Sequence, residues 1–153
     1  FTFLSDNLVP VVDAGPDVVT WLVDGLRTGN LDATVTDDGA PMPYSVSWSV
    51  TSQPEGGDAV IEQTSAEDTT VTLTALGEYT LQLAAFDGEY IGTDSLTIGV
   101  YESPCQAAQS LPDYVPLVGD LNNDCLVDEL DMALLEANWM QDSALTEEWH
   151  LIE

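Results

Sequence analysis

A twelve-residue segment near the end of the sequence carries oxygen-bearing side chains at the spacing of a calcium-binding loop. Counting Asp120 as position 1, such side chains occupy positions 1, 3, 5, 9 and 12. A hard cation prefers about six to eight oxygen ligands at roughly 2.3–2.6 Å, and a tight loop that runs into a helix turns alternate residues inward. We call residues 120–131 the acidic loop. It predicts a Ca²⁺ site whose ligands include the backbone carbonyl of Leu126 and a direct or water-mediated oxygen of Asp128: Asp120, Asn122, Asp124, Leu126, Asp128 and Asp131.

Two positions of the acidic loop depart from the usual pattern. Position 6, where a sharp turn normally requires glycine, is Cys125, and the last ligand is the shorter Asp131 in place of glutamate. A second interpretation therefore stays open, in which the segment is a solvated acidic turn that caps the following helix. Cys125 is a poor candidate for a metal ligand, because thiolates prefer softer ions and its neighbours here offer oxygen.

The chain has two cysteines, Cys105 and Cys125, and the favoured interpretation is a disulfide between them. An acidic, threonine-rich and lysine-free composition is typical of an extracellular protein, where a disulfide persists. In the chain-entropy model, a bridge that closes about twenty residues stabilises the fold by roughly 3 kcal/mol. Two free thiols are the alternative.

The charge balance limits the kinds of partner. The sequence has 28 Asp and Glu against a single Arg and no Lys, which gives a formal charge of −27. Nucleic acids and anionic membrane surfaces are excluded as partners, because binding to them depends on Lys and Arg. An apolar content of 44% argues against disorder. Divalent cations would relieve the self-repulsion of such a surface.

No stretch of the sequence approaches the roughly 18 apolar residues of a membrane-spanning helix, so no membrane insertion is expected. The sequence begins at Phe1, and its start is neither a methionine nor a basic segment followed by an apolar one, as in a secretory signal. We therefore expect either a processed chain or a fragment of a longer one. Together with the composition, this predicts a secreted or cell-surface location.

The first hundred residues predict an all-β fold. Short runs rich in Val, Thr, Leu, Ile and aromatic residues alternate in polarity and are separated by Gly, Pro, Asp and Asn, which is typical of a two-sheet antiparallel sandwich. Trp48 is expected to fill its centre, and Tyr79 to form a tyrosine corner. The predicted strands are 9–13, 18–23, 31–36, 44–51, 59–63, 69–75, 78–86 and 90–100.

Residues 8–101 resemble the bacterial PKD-type immunoglobulin-like domain. The resemblance rests on four segments: Val12-Asp13-Ala14-Gly15-Pro16-Asp17, residues 31–39, Trp48-Ser49-Val50-Thr51 and residues 77–88. It implies an immunoglobulin-like sandwich that serves as a spacer or adhesion module of a secreted or surface protein and is not an enzyme. Residues 1–7 would be an N-terminal extension.

Residues 102–153 resemble a dockerin. A first short helix is predicted from an N-cap at Ser103 to about Ser110, and a second from Glu129 to Met140. Between them, the acidic loop follows the dockerin repeat, including aspartate at its twelfth position. The sequence has one such repeat, whereas dockerins that bind cohesin carry two. The resemblance implies a small, calcium-bound helical appendage of EF-hand type.

The sequence contains no recognisable catalytic set. Its single histidine, His150, lies among the last four residues, and no nucleophile elbow, zinc-binding helix or phosphate-binding glycine loop is present. We therefore expect no enzymatic activity. A second metal site could form at one end of the sandwich, and ordinary turn residues are the alternative there: Asp13, Asp37, Asp38, Asp87 and Glu89.

Two classes of function remain. The first is a calcium-stabilised structural or adhesion module that assembles with copies of itself, for which the apolar segment Phe1-Thr2-Phe3-Leu4 offers an added strand. The second is a dockerin-type tether that attaches a carbohydrate-active enzyme to a cohesin-like scaffold protein. A third alternative is a carbohydrate-binding module with a polysaccharide partner, in which Trp21 or Tyr90 would be the aromatic platform.

Overall fold

Nine strands and two short helices make up residues 7–140, the part of the chain that the computed structural model describes. The strands are β1 Val11–Asp13, β2 Val18–Trp21, β3 Arg27–Leu31, β4 Thr34–Thr36, β5 Ser45–Ser52, β6 Ala59–Ile61, β7 Thr69–Leu73, β8 Gly77–Phe86 and β9 Ile91–Tyr101. The helices are α1 Pro104–Gln109 and α2 Glu129–Ala137. None of the helices described is long and apolar enough to cross a membrane.

The strands form three sheets with the orders β1-β4, β2-β9-β8-β5 and β3-β7-β6. All pairings are antiparallel except that of β2 with β9, which is parallel. The purely antiparallel arrangement that we predicted is therefore wrong at this pair. The mostly β, sandwich-like class is confirmed.

The predicted strand 31–36 is in fact two strands that pair with different partners. β3 begins four residues earlier and pairs with β7, whereas β4 pairs with β1. At the break and in the β4 strand that follows it, two acidic side chains accept hydrogen bonds from the backbone. The amide of Ala33 donates to Asp68 Oδ1 at 3.3 Å, and that of Val35 donates to Glu67 Oε2 at 3.2 Å. Side chains thus let the chain pass from one sheet to the next without leaving these two amides unpaired.

The core lies between the sheets and draws its side chains from alternate positions of the strands. Trp48 is 2% exposed, and its indole Nε1 donates to the carbonyl of Glu67 at 3.0 Å. Its predicted place in the core is confirmed. The strands contribute the other large core residues, among which are Leu31, Val71, Leu73, Leu81, Leu83, Leu96 and Ile98.

Tyr79 forms the predicted tyrosine corner. Its ring is fully buried, and its hydroxyl donates to the carbonyl of Ala75 at 3.1 Å and accepts from the amide of the same residue at 3.0 Å. Gly57 packs against this hydroxyl so closely that a Cβ at residue 57 would lie 2.6 Å from it. The corner therefore depends on the absence of a side chain at position 57.

Replacing Tyr79 with phenylalanine tests the corner. We expect Tyr79→Phe to lower the free energy of unfolding by about 1–2 kcal/mol, because the buried Ala75 amide and carbonyl lose their partner while the ring still fills its space. Urea denaturation followed by tryptophan fluorescence measures the change. Tyr90→Phe, at a tyrosine that is 41% exposed, is the matched control and should leave stability unchanged. Equal effects of the two variants would contradict the assignment.

The described residues divide into two compact units, with the division between Asp113 and Tyr114. α1 belongs to the first unit, where it contacts β2 and β9. Ser103 caps this helix as predicted, since its hydroxyl accepts from the amide of Gln106 at 3.2 Å. α2 belongs to the second unit and ends at Ala137, three residues before the predicted end.

Candidate metal sites

The backbone of the acidic loop turns sharply at two residues that are not glycine. Asn123 and Cys125 have φ values of 60° and 68°. These lie in the left-handed region, which asparagine tolerates and a cysteine rarely adopts. Cys125 therefore has the conformation for which calcium loops normally use glycine at the same position.

Three predicted ligands accept hydrogen bonds from amides within the loop. The carboxylate of Asp120, 9% exposed, accepts from the amides of Asp124 at 3.1 Å and Cys125 at 2.9 Å. Asn122 Oδ1 also accepts from the Asp124 amide at 3.1 Å, and Asp124 Oδ1 accepts from the Leu126 amide at 2.9 Å. A carboxylate oxygen can accept more than one hydrogen bond. These bonds therefore orient the ligand oxygens and still leave lone pairs for a cation.

Asp131 is the most buried of the predicted ligands, with 3% of its surface exposed. Its Oδ2 accepts from the amide of Asp128 at 2.8 Å, and its Oδ1 accepts from the amides of Leu121 at 2.6 Å and Asn122 at 3.3 Å. The bond from the Asp128 amide is the main cause that lowers the pKa of this carboxyl; burial opposes the shift, and the other two amides add to it. Asp131 is therefore ionised at neutral pH and joins the start of the loop to its end.

Asp128 and Asp131 also cap α2. Asp128 Oδ1 accepts from the amide of Leu130 at 2.8 Å, and the bond from the Asp128 amide to Asp131 completes a capping box. The two residues that cap the helix are thus also predicted calcium ligands. The two roles are compatible, because a capping carboxylate that holds the loop closed also presents free lone pairs to a cation.

Both cysteines of the chain are disulfide-bonded, so the predicted bridge between Cys105 and Cys125 is present. The hydroxyl of Tyr114 lies 3.6 Å from Cys125 Sγ. The residue of unusual φ in the acidic loop is therefore held by a covalent bond.

A second acidic site lies where β8 turns into β9. Asp87 is fully buried, and its Oδ1 accepts from the amides of Glu89 and Tyr90, both at 2.7 Å. Its Oδ2 is buried and has no hydrogen-bond partner among the described residues. Burial acts to raise the pKa of Asp87, but the two amides and the nearby Asn7 side chain outweigh it and leave the pKa below its usual value. The structure thus holds a buried carboxylate with one oxygen unsatisfied.

Two more buried side-chain oxygens without a partner belong to neighbouring segments. They are Asn7 Oδ1 and Asp37 Oδ1. Hydrogen bonds hold these segments together: Asn7 Nδ2 donates to Glu89 Oε2 at 3.2 Å, and the amide of Leu8 donates to Asp38 Oδ2 at 3.2 Å. We call Asn7, Asp37, Asp38, Asp87 and Glu89 the polar end of the sandwich.

No Lys or Arg side chain within residues 7–140 pairs with these oxygens. The only Lys or Arg of the chain is Arg27, which lies over the ring of Trp21 at 5.2 Å. A buried, unpaired carboxylate oxygen is costly, and a hard cation from solution satisfies such oxygens directly. Within residues 7–140, however, no three Asp, Glu, His or Cys side chains group as a metal centre by themselves. A cation at either site would therefore also need amide, carbonyl or water oxygens, as Ca²⁺ accepts.

The sequence predicted part of the polar end. Four of its acidic residues were named, but Asp13 accepts instead from the amide of Gly15 at 2.9 Å in a local turn. Asn7 was missed. The signal available was an amide side chain close before the first strand, since the oxygen of an amide suits the same cations as that of a carboxylate.

Solved structures similar to this chain support the fold. The PKD domain of human KIAA0319 matches with a TM-score of 0.51 and 19% identity over 74% of this chain and 96% of its own. The PKD domain of the KIAA 1837 protein has a TM-score of 0.49 and 27% identity, covering 65% of this chain and 94% of its own. The first of these matches shows that the sandwich has a PKD-like immunoglobulin fold.

A third similar structure is an enzyme. An endo-fucoidan hydrolase of glycoside hydrolase family 107 matches 69% of this chain with 20% identity and a TM-score of 0.43, but the match covers 15% of the hydrolase. So small a share carries no argument for hydrolase activity. No family model matches the sequence.

Proposed function

We propose that this chain is a non-catalytic, calcium-stabilised structural or adhesion module of a secreted or cell-surface protein, acting as a spacer or subunit in a larger assembly. The observation that carries the proposal is the buried Asp87 Oδ2, which has no partner among the described residues in a chain with no lysine and one distant arginine. PKD-like domains are generally non-catalytic and extracellular, which fits the disulfide and the extreme acidity.

The proposal assigns two roles to Ca²⁺. At the polar end, the ion neutralises Asp87 together with the oxygens of Asn7 and Asp37, and so secures the segment that leads into β1. In the acidic loop, it binds the oxygens of Asp120, Asn122, Asp124, Leu126, Asp128 and Asp131. Both sites contain oxygen donors only, which favours a hard ion, and both are built from irregular backbone, which suits Ca²⁺ better than the strictly octahedral Mg²⁺.

Calorimetric titration of the chelator-treated protein with Ca²⁺ tests the proposal, with one variant for each site. We expect two binding events in the unaltered protein, loss of one in Asp87→Asn and loss of the other in Asp124→Asn. Asp113→Asn, at an exposed turn residue, removes the same charge and should retain both. Mg²⁺ at equal concentration should not replace Ca²⁺.

Thermal unfolding adds an independent readout. Ca²⁺ at about 100 times its dissociation constant stabilises a one-site protein by about 2.7 kcal/mol, so chelation should lower the Tm and speed proteolysis beyond Val100. The proposal would be overturned if the unaltered protein bound no Ca²⁺ at millimolar concentration. It would also be overturned if the chelator changed neither the Tm nor the rate of cleavage.

An exposed apolar surface on α2 favours a second candidate function, the tether to a scaffold protein. Met132 and Leu135 lie on one face of α2 and are 70% and 49% exposed, and Trp139, two residues after the end of the helix, is 68% exposed. An apolar stripe of this kind is typical of a protein-binding surface. Leu135→Glu, which introduces a negative charge into this surface, should abolish capture by a scaffold domain if the tether is correct and leave Ca²⁺ binding unchanged.

A further inference from the structure

We propose that the cleft between β2 and β3 receives the segment Phe1–Ser5 of a second copy of this chain as an added strand. The inference names the partner surface for the assembly proposed above and rests on that part of the proposed function. Residues 1–6 lie outside the described residues, and the argument uses their sequence only.

The cleft opens between two strands that lie at the edges of their sheets in the described part of the chain. β2 is the last strand of its sheet and pairs only with β9; β3 is the last strand of the facing sheet and pairs only with β7. β1, which covers the preceding part of this side of the sandwich, pairs with β4 and ends at Asp13. Beyond Asp13, neither the edge of β2 nor that of β3 has a strand beside it in the described part of the chain. A free edge presents unpaired amides and carbonyls to an incoming strand.

The interior of the cleft is apolar and large enough for side chains. Its volume is about 370 Å³. The floor consists of core residues from both sheets, among them Leu31, Val71, Leu73, Leu96 and Ile98. Gly29 of β3 also lines the cleft, and a Cβ at this position would meet no atom within 4 Å. The space suits two aromatic side chains that project from one face of a strand, as Phe1 and Phe3 do when extended.

One polar group in the cleft has no partner. Thr20 of β2 is 6% exposed and lines the cleft, and its Oγ1 is buried without a hydrogen bond among the described residues. A purely apolar ligand would leave this hydroxyl unsatisfied, which disfavours its binding. The backbone of a strand, or the hydroxyl of Thr2, supplies the missing partner. The cleft therefore favours a peptide over a lipid or another hydrocarbon.

Two charged side chains line the rim of the cleft, the cationic Arg27 and the acidic Asp32. Arg27, the only Lys or Arg of the chain, begins β3 and lines the cleft. A segment that ends in a carboxylate places it within the attraction of this guanidinium. Phe1-Thr2-Phe3-Leu4-Ser5 is followed directly by Asp6. Because each copy carries a charge of −27, the pairing needs enough salt or Ca²⁺ to screen the repulsion between copies.

The segment of the same chain is too short to fill the cleft. The chain enters the described residues beside Glu89 and Asp38, and Pro10 packs on Gly92. The cleft begins beside Leu96 and extends past Ile98, which is four to six residues further along β9. Residues 1–6 must reverse direction to run that way, and after a two-residue turn the remaining four span only about 13 Å. A second copy has no such restriction.

A complementation experiment on the full-length chain tests the proposal. Phe3→Asp disables the donor segment, and Gly29→Leu places a side chain in the acceptor cleft from a position where a Cβ meets no atom within 4 Å. We expect the unaltered protein to form dimers and longer species with rising concentration at 0.5 M NaCl, and each variant to be monomeric by sedimentation velocity, with association at least tenfold weaker. An equimolar mixture should form 1:1 dimers and nothing longer, because each variant retains the half that the other lacks.

Three results would overturn the proposal: an unaltered protein that is monomeric at all concentrations, variants that associate as it does, or a mixture that stays monomeric. Hydrogen exchange gives a further check. If Phe3→Asp exposes β3 amides equally at all concentrations, the segment binds its own chain and the second copy is excluded. Both variants should bind Ca²⁺ as the unaltered protein does, so a failure of assembly is distinguishable from a failure of the calcium proposal.

Discussion

Gly92→Ala is expected to lower the free energy of unfolding by about 3 kcal/mol, whereas Gly29→Ala changes it by less than about 0.5 kcal/mol. A Cβ at residue 92 would overlap the backbone carbonyl of Pro10, which cannot rotate away as a side chain can. At residue 29 the added methyl group meets no atom. The two glycines lie in strands and have ordinary φ values, so the difference isolates the close approach of Pro10.

Chemical denaturation with and without Ca²⁺ measures both the change in stability and a second expected change, in Ca²⁺ binding. Since Pro10 is three residues from Asn7, displacing it should move the Asn7 oxygen and weaken Ca²⁺ binding at the polar end by about tenfold, equivalent to about 1.4 kcal/mol. Binding at the acidic loop should not change. If Gly92→Ala and Gly29→Ala were equally stable, Pro10 would not be held against β9 in solution. If stability fell while both Ca²⁺ affinities were kept, the polar end would not include Asn7.

Removing the disulfide should have an effect of similar size, located in the second unit. The bridge closes a loop of about twenty residues, and its loss destabilises by roughly 3 kcal/mol in the chain-entropy model. We expect Cys105→Ser with Cys125→Ser to increase proteolysis of the acidic loop and to lower its Ca²⁺ affinity, with little change in the unfolding of the sandwich. Limited proteolysis and calorimetry provide the two measurements.

A second double variant separates the covalent bond from the backbone conformation. Cys105→Ser with Cys125→Gly also lacks the bridge but has glycine at the φ of 68°, which glycine adopts without strain. It should regain most of the Ca²⁺ affinity while remaining susceptible to proteolysis. Equal affinities of the two double variants would show that the bridge, and not the left-handed turn, maintains the loop.

Much of the fold could be predicted from the sequence, because period-two alternation and turn residues are local signals. Trp48 and Tyr79 were identified correctly from such signals, since each lies on the apolar side of a strand that it shares with several alternating neighbours. Ser103 was recognised as a cap because an N-cap depends only on the next few residues. Local chemistry thus accounts for what was predicted correctly.

The parts that were missed depend on residues distant in sequence. The division of 31–36 into β3 and β4 requires Glu67 and Asp68, more than thirty positions away, to accept from the amides at the break. The parallel pairing of β2 with β9 joins the start of the sandwich to its end. The polar end required Asn7 to be placed beside Glu89, 82 residues later. The pattern of residues within one segment contains no information about such distant partners.

The parallel pairing of β2 with β9 also determines how the sandwich responds to mechanical force. Val18, Val19, Thr20 and Trp21 lie opposite Ile98, Gly99, Val100 and Tyr101. Tension that enters at the start of β2 and leaves at the end of β9 pulls two adjacent parallel strands in opposite directions along their length. The hydrogen bonds between them are then loaded together in shear, whereas an antiparallel hairpin under the same pull would open one bond at a time. A sandwich with this geometry resists stretching along the chain through the bonds between β2 and β9.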